Sequence, residues 1–206
     1  MTDARRWDSE FEEWAKNMPV VWDFRTIDII GRDPPEWSQL FMKCAGRPSI
    51  VHTYRSLSVA SGWNLYRVAR LMLSQSIVDC AGWCVTHSNY QPIQANQGLP
   101  TEKIMQTMQS HLVLSTKTIT KMIEEICASV FSHLHISIEG KLNPATSRDV
   151  CAVRGLLLLW PLSTAASCMV DMAGRTMEEN MRGSWLKAVL KFISQDLSIS
   201  QASASG

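Results

Sequence analysis

Trp63, Tyr66, Arg67 and Arg70 are the side chains best equipped for chemistry in this sequence. They stand in the run Ser61-Gly62-Trp63-Asn64-Leu65-Tyr66-Arg67-Val68-Ala69-Arg70, and on a helix their three- and four-residue offsets gather them on one face. Guanidiniums beside amphipathic rings have two uses. They can pair an acidic effector or a partner's surface across that face. Alternatively they lie over the rings and tie the helix to its neighbours. Asn64 falls off this face and has four hydrogen-bonding groups to satisfy if it is buried.

The other reactive residue types are dispersed. Cys80, Cys84 and His87 would come near one another if a helix ran through them, but no Cys-x-x-Cys pair exists to build a closed zinc site. Buried thiols beside a loop histidine are the expectation there, with no metal and no cofactor. His133 and His135 flank a leucine near a helix end and are expected to be solvated or capping. The chain has no Asp-Asp-x-x-Asp, His-Glu-x-x-His, Gly-x-Ser-x-Gly, phosphate-binding glycine loop or dinucleotide fingerprint. A non-enzyme is expected.

Charge excludes another class. Twenty basic residues face nineteen acidic ones, and no basic block exceeds Arg5-Arg6, so a nucleic-acid surface is not expected. The six cysteines are scattered, and residues 1–7 carry no signal-peptide core. An intracellular, reducing compartment with free thiols follows as the expectation.

The positioning elements read as helices, and strand patterning is nearly absent. Trp7, Phe11, Trp14 and Met18 form the stripe of a short amphipathic helix ending before Pro19, with Glu10, Glu12, Glu13 and Lys16 turned outward. Residues 20–48 read as connection, with a helical turn over 37–44. Residues 49–85 read as one long helix or two joined at Gly62, residues 86–100 as a loop, and residues 101–135 as a third helix. A break over 140–147 precedes a helix over 148–173 that Gly174 caps. Thr176 and Glu179 have capping-box spacing and open a last helix. The tail, residues 198–206, is expected to be disordered.

Val153 to Leu162 is the densest apolar run, broken by Pro161. The charge-free stretch from Gly155 to Val170 is shorter than the roughly 20 apolar residues a membrane span needs. It is therefore expected to be the central helix of the core, kinked at Pro161, covered on all sides, with Trp160 and Pro161 as core residues. The fold expectation is all-α, a single helical domain over residues 1–197 of about five to seven helices around that kinked helix.

Several of these segments carry a resemblance. The Trp63-Asn64-x-Tyr66-Arg67-x-x-Arg70 helix with its lead from Tyr54 to Ala60, the stretch Ile123 to Val130, the run Arg154 to Leu162, and Trp185-Leu186 to Leu190 with Ile199-Ser200-Gln201-Ala202 follow in that order. Together they resemble the C-terminal regulatory region of fungal transcription factors of the binuclear zinc cluster class. The resemblance spans about residues 7–202. It implies an all-helical, nuclear regulatory domain controlling metabolic genes, responding to a small-molecule effector and contacting a protein partner or a second copy. The sequence departs from the family where the DNA-binding module would stand, because the cysteines lack the close spacing that holds two zinc ions. Direct nucleic-acid binding by this chain is therefore not expected.

Two functions follow as expectations. The first is a non-catalytic regulatory module without its own DNA reader, probed at Trp63, Tyr66, Arg67 and Arg70. The rival is a small helical enzyme or accessory protein of a fungal biosynthetic pathway, with His111, Glu124 or Asp79 in a pocket between the same helices.

Overall fold

The computed structural model describes residues 2–31, 41, 43–87, 101–136, 148–171 and 176–195. Along them the chain forms α1 (Thr2–Lys16), a 3-10 turn (Val20–Trp22), strands β1 (Phe24–Asp28) and β2 (Ile50–Tyr54), and helices α2 (Leu57–Thr86), α3 (Thr101–His133), α4 (Arg148–Asp171) and α5 (Met177–Gln195). Among the described residues the fold is all-α with one small two-stranded sheet.

That sheet corrects the reading of residues 20–54. β1 and β2 pair antiparallel, Phe24 opposite Tyr54 and Asp28 opposite Ile50. Ile50-Val51-His52-Thr53-Tyr54 is rich in β-branched and aromatic residues, which suit a pleated, half-buried surface. The helix therefore starts later than expected, at Leu57, behind Ser56, whose hydroxyl accepts from the Val59 N–H at 3.3 Å. No joint occurs at Gly62 either. The Trp22 ring comes so close there that an added Cβ would stand 2.5 Å from it, so the glycine permits a close approach. The segments expected at 88–100, 140–147 and 198–206, the Gly174 cap and most of the turn at 37–44 lie outside the described residues.

The core forms around α2 and α3. Asn64 meets Ser129 and Arg67 meets Glu125, so the two helices run antiparallel. Leu71, Ile119, Met122, Ile126 and Leu134 are fully buried between the elements, each worth roughly 1.5–3 kcal/mol of burial. α1 crosses one side of α2 antiparallel to it, with Phe11 against Tyr66 and Trp14 against Trp63. β2 covers α3, and α4 and α5 close the far side. The capping box stands as expected: the Glu179 N–H donates to the Thr176 hydroxyl at 3.2 Å and the Thr176 N–H to the Glu179 carboxylate at 2.7 Å.

α4 departs from the reading of a central, wholly covered helix. It is continuous through Pro161 and packs on α2, α3 and α5 through Leu158, Pro161, Leu162, Ala165 and Met169. Its other face, with Val153, Leu156, Leu157 and Trp160, is exposed. Trp160 is 54% exposed and is not a core residue; Pro161 is buried. A helix apolar all round gives no contrast by which the sequence could mark its inner side. By length and composition Ala152–Val170 is also apolar enough to cross a membrane. In this fold its buried positions face protein.

Candidate functional site

Arg67 is fully buried, and each of its three guanidinium nitrogens meets an internal acceptor. Its Nε donates to Glu125 Oε2 at 3.0 Å, and its Nη1 to the Tyr54 hydroxyl at 2.7 Å and Asn64 Oδ1 at 3.1 Å. Its Nη2 lies 3.3 Å from His52 Nδ1. The guanidinium carbon stands 5.3 Å from the Phe24 ring centroid and 5.8 Å from those of Tyr54 and Trp63. A buried cation held by one carboxylate, neutral acceptors and ring faces is satisfied in the way that burial demands. Asn64 completes the cluster by donating to the Ser129 hydroxyl at 2.9 Å.

Burial and the Arg67 charge push His52 down to about 3, so it stays neutral. Burial pushes Tyr54 up to about 12, so it keeps its proton. The Tyr54 hydroxyl can then accept from Arg67 and donate to His52 Nδ1 at 3.1 Å. In this arrangement the imidazole proton sits on Nε2.

Arg70 ties α2 to α1. It donates to Asp8 at 2.9 Å, to Glu12 at 3.1 Å and to the Tyr66 hydroxyl at 3.1 Å. Glu12, expected to point outward, is recruited by this buried cation. Trp63 Nε1 donates to the Trp22 carbonyl at 2.7 Å. The sequence-derived set Trp63, Tyr66, Arg67 and Arg70 is thus brought together, with its guanidiniums engaged by the protein itself. An acidic effector would have to displace Glu125 or Asp8.

What the sequence reading did not locate lies beside this cluster. A groove of about 480 Å³ opens between α1, α2 and the 3-10 turn. Trp7, Phe11, Trp14, Trp22, Leu65 and Tyr66 line it, and Gly62 keeps its floor open to the Trp22 ring. Glu10 is the one carboxylate among its lining. The α1 stripe of Trp7, Phe11 and Trp14 was legible as a stripe. That it borders an open groove depends on how far α1 stands from α2, which periodicity does not report.

The histidines divide. His133 is not solvated: it is buried, its Nδ1 lies 3.1 Å from the Ser129 carbonyl, and burial pushes it down to about 4. Residues 134–136 sit where the helix closes, so His133 turns inward with the core face of α3. His135 is the left-handed residue (φ 56°) of a helix-ending motif, with Ile136 N–H donating to Phe131 O at 2.8 Å and His135 N–H to Ser132 O at 3.3 Å. Cys80 and Cys84 are exposed, correcting the expectation of buried thiols, and His87 stacks on Trp83 with centroids 4.7 Å apart. Among the described residues no three His, Cys, Asp or Glu side chains gather to hold a metal. His111 accepts from Arg5 at 2.8 Å, Asp79 accepts from Gln75 at 2.8 Å, and Glu124 lines a separate small cleft with Arg182.

The buried neutral histidines set a pH dependence. In the unfolded chain both bind a proton below about 6.5, whereas the folded protein holds His52 neutral to about 3 and His133 to about 4. The unfolded state therefore binds more protons between those values, and stability falls as pH drops below 6.5. Each histidine contributes up to about 1.4 kcal/mol per pH unit in that window. Urea midpoints measured from pH 7 to 4.5 are expected to fall, and His52→Gln to flatten the slope by about half; a flat profile for the parent would contradict it.

Comparison with family models, with curated proteins and with solved structures gives no match.

Proposed function

We propose that this chain is a non-catalytic regulatory module of the kind its resemblance to fungal zinc-cluster factors implies. It acts in the nucleus through a bound effector or a protein contact and has no DNA reader of its own in this sequence. The observation that carries this reading is the groove between α1 and α2: about 480 Å³, bounded by six large apolar or aromatic side chains, with a single carboxylate at its edge. That size and lining suit a small-molecule effector. They offer no nucleophile–base pair, and the Tyr66 hydroxyl, the other proton-bearing group of the lining, is already engaged by Arg70. His52, Tyr54, Cys127 and His133, the groups burial shifts most, lie outside the groove's lining, and Tyr66, which lines it and is raised by burial, has its hydroxyl bonded to Arg70. The exposed apolar ridge of α4, Val153, Leu156, Leu157 and Trp160, supports the protein-contact half of the reading, with a zinc-cluster factor or a second copy as partner. Neither a membrane nor nucleic acid is part of it.

Tethering tests the proposal. Fused to a heterologous DNA-binding domain in a fungal host, the chain is expected to change reporter output several-fold over the domain alone. Ala69→Trp, which fills the groove, is expected to abolish the response to added effector while leaving the helical circular dichroism unchanged. A fusion that leaves the reporter at the level of the bare DNA-binding domain would sink the regulatory reading.

A further inference from the structure

The groove carries more information than its apolarity. Its walls present indole, phenol and phenyl rings, whose faces attract cations. Its only lining residue charged at neutral pH is Glu10, through its carboxylate. The protein already brings a cation to this edge: the Arg6 guanidinium carbon lies 5.5 Å from the Trp7 ring centroid, and its Nε lies 3.6 Å from Glu10 Oε1. Arg6 and Glu10 are 60% and 51% exposed, so this pair is of the weak, solvated type that a ligand can displace. The neighbouring acids Asp8 and Glu12 are held by Arg70, while Arg6 also reaches Asp3 at 3.5 Å across a pair at least as exposed.

From this we infer that the groove takes an organic ammonium on an apolar body. The body lies among Trp14, Trp22, Leu65 and Tyr66, and the charged head replaces Arg6 between Trp7 and Glu10. An anionic ligand would meet Glu10 with the wrong sign. A neutral one would gain nothing from the carboxylate or from the ring faces' attraction for cations. This inference rests on the groove being the effector site and names the chemical class of that effector.

The test compares octyltrimethylammonium, 1-octanol and octanesulfonate, all below micelle-forming concentrations, by tryptophan fluorescence of the full chain. The ammonium is expected to bind about tenfold more tightly than either of the others. Glu10→Gln, at an exposed helix position, is expected to remove most of that preference. Arg6→Ala, which vacates the rim, is expected to tighten the ammonium several-fold. Ala69→Trp is expected to abolish binding of all three. Octanol binding as tightly as the ammonium would overturn the cationic assignment and leave an apolar effector groove standing. If none of the three binds, both the assignment and the groove as effector site fall. Binding that survives Ala69→Trp lies elsewhere on the surface and also overturns the inference.

Discussion

Replacing Arg67 with alanine is expected to destabilise the fold by about 3–5 kcal/mol, the cost of breaking a buried ion pair from one side. The side chain is 0% exposed, and its removal takes the donor from Glu125 Oε2 and Asn64 Oδ1 and leaves the Tyr54 hydroxyl with His52 alone. Glu125 is 21% exposed, so partial hydration of its carboxylate puts the expected loss toward the lower end. Set against the ~5–15 kcal/mol total of a typical domain, even that removes a large share of stability. Arg67→Lys keeps the charge and loses the fork, and should fall between parent and alanine. A urea-unfolding double-mutant cycle with Glu125→Ala checks the mechanism. The double variant should be more stable than the sum of the single losses predicts, because no charge is then left alone. A loss under 1 kcal/mol for Arg67→Ala would mean that the cluster is solvated and holds nothing together.

Gly46→Ala is the second large effect. Gly46 has φ +88°, where a Cβ costs roughly 1–2 kcal/mol. The new methyl would also overlap the backbone of Met181 and Arg182 in α5. Backbone within a helix cannot step aside as a flexible side chain can, and overpacking of this sort adds about 1–3 kcal/mol. The same approach carries a hydrogen bond, Arg182 Nη1 to the Gly46 carbonyl at 2.6 Å, which any retreat of the loop would break. The expected sum is about 2–5 kcal/mol, read as a lowered urea midpoint with the slope unchanged. Gly31→Ala is the comparison. It too has positive φ, +71°, but open space around it, so it should show the backbone cost alone. Equal losses for the two would remove the clash from the explanation.

How much of this was legible in the sequence depended on contrast. The capping box at Thr176 and Glu179 was visible because it is a local pattern between polar and helical segments. The gathering of Trp63, Tyr66, Arg67 and Arg70 on one side of α2 was visible because helical periodicity fixes it. Their partners were not. Glu125 sits on α3, Asp8 and Glu12 on α1, and His52 and Tyr54 on β2, and no local rule joins positions so far apart in the chain. β1 and β2 were missed because each is five residues long and their pairing spans a connection with no hairpin signature. α4 was misplaced for the opposite reason: apolar on every side, it looked central, while its Leu156 and Trp160 face outward.

The two walls of the groove are anchored unequally. α2 is locked into the core through Arg67, Asn64 and its packing on α3. α1 is held mainly by the links of Arg5 to His111 and of Arg70 to Asp8 and Glu12, together with ring contacts of Phe11 and the half-exposed Trp14 on buried Tyr66 and Trp63. Segments with few buried apolar contacts open at lower free energy than the core they rest on. A molecule seated in this seam touches both tiers at once. Its binding energy therefore adds directly to the free energy of detaching α1, and slowed amide exchange along Thr2–Lys16 becomes the occupancy signal that the rest of the chain, or a partner reading α1, can respond to.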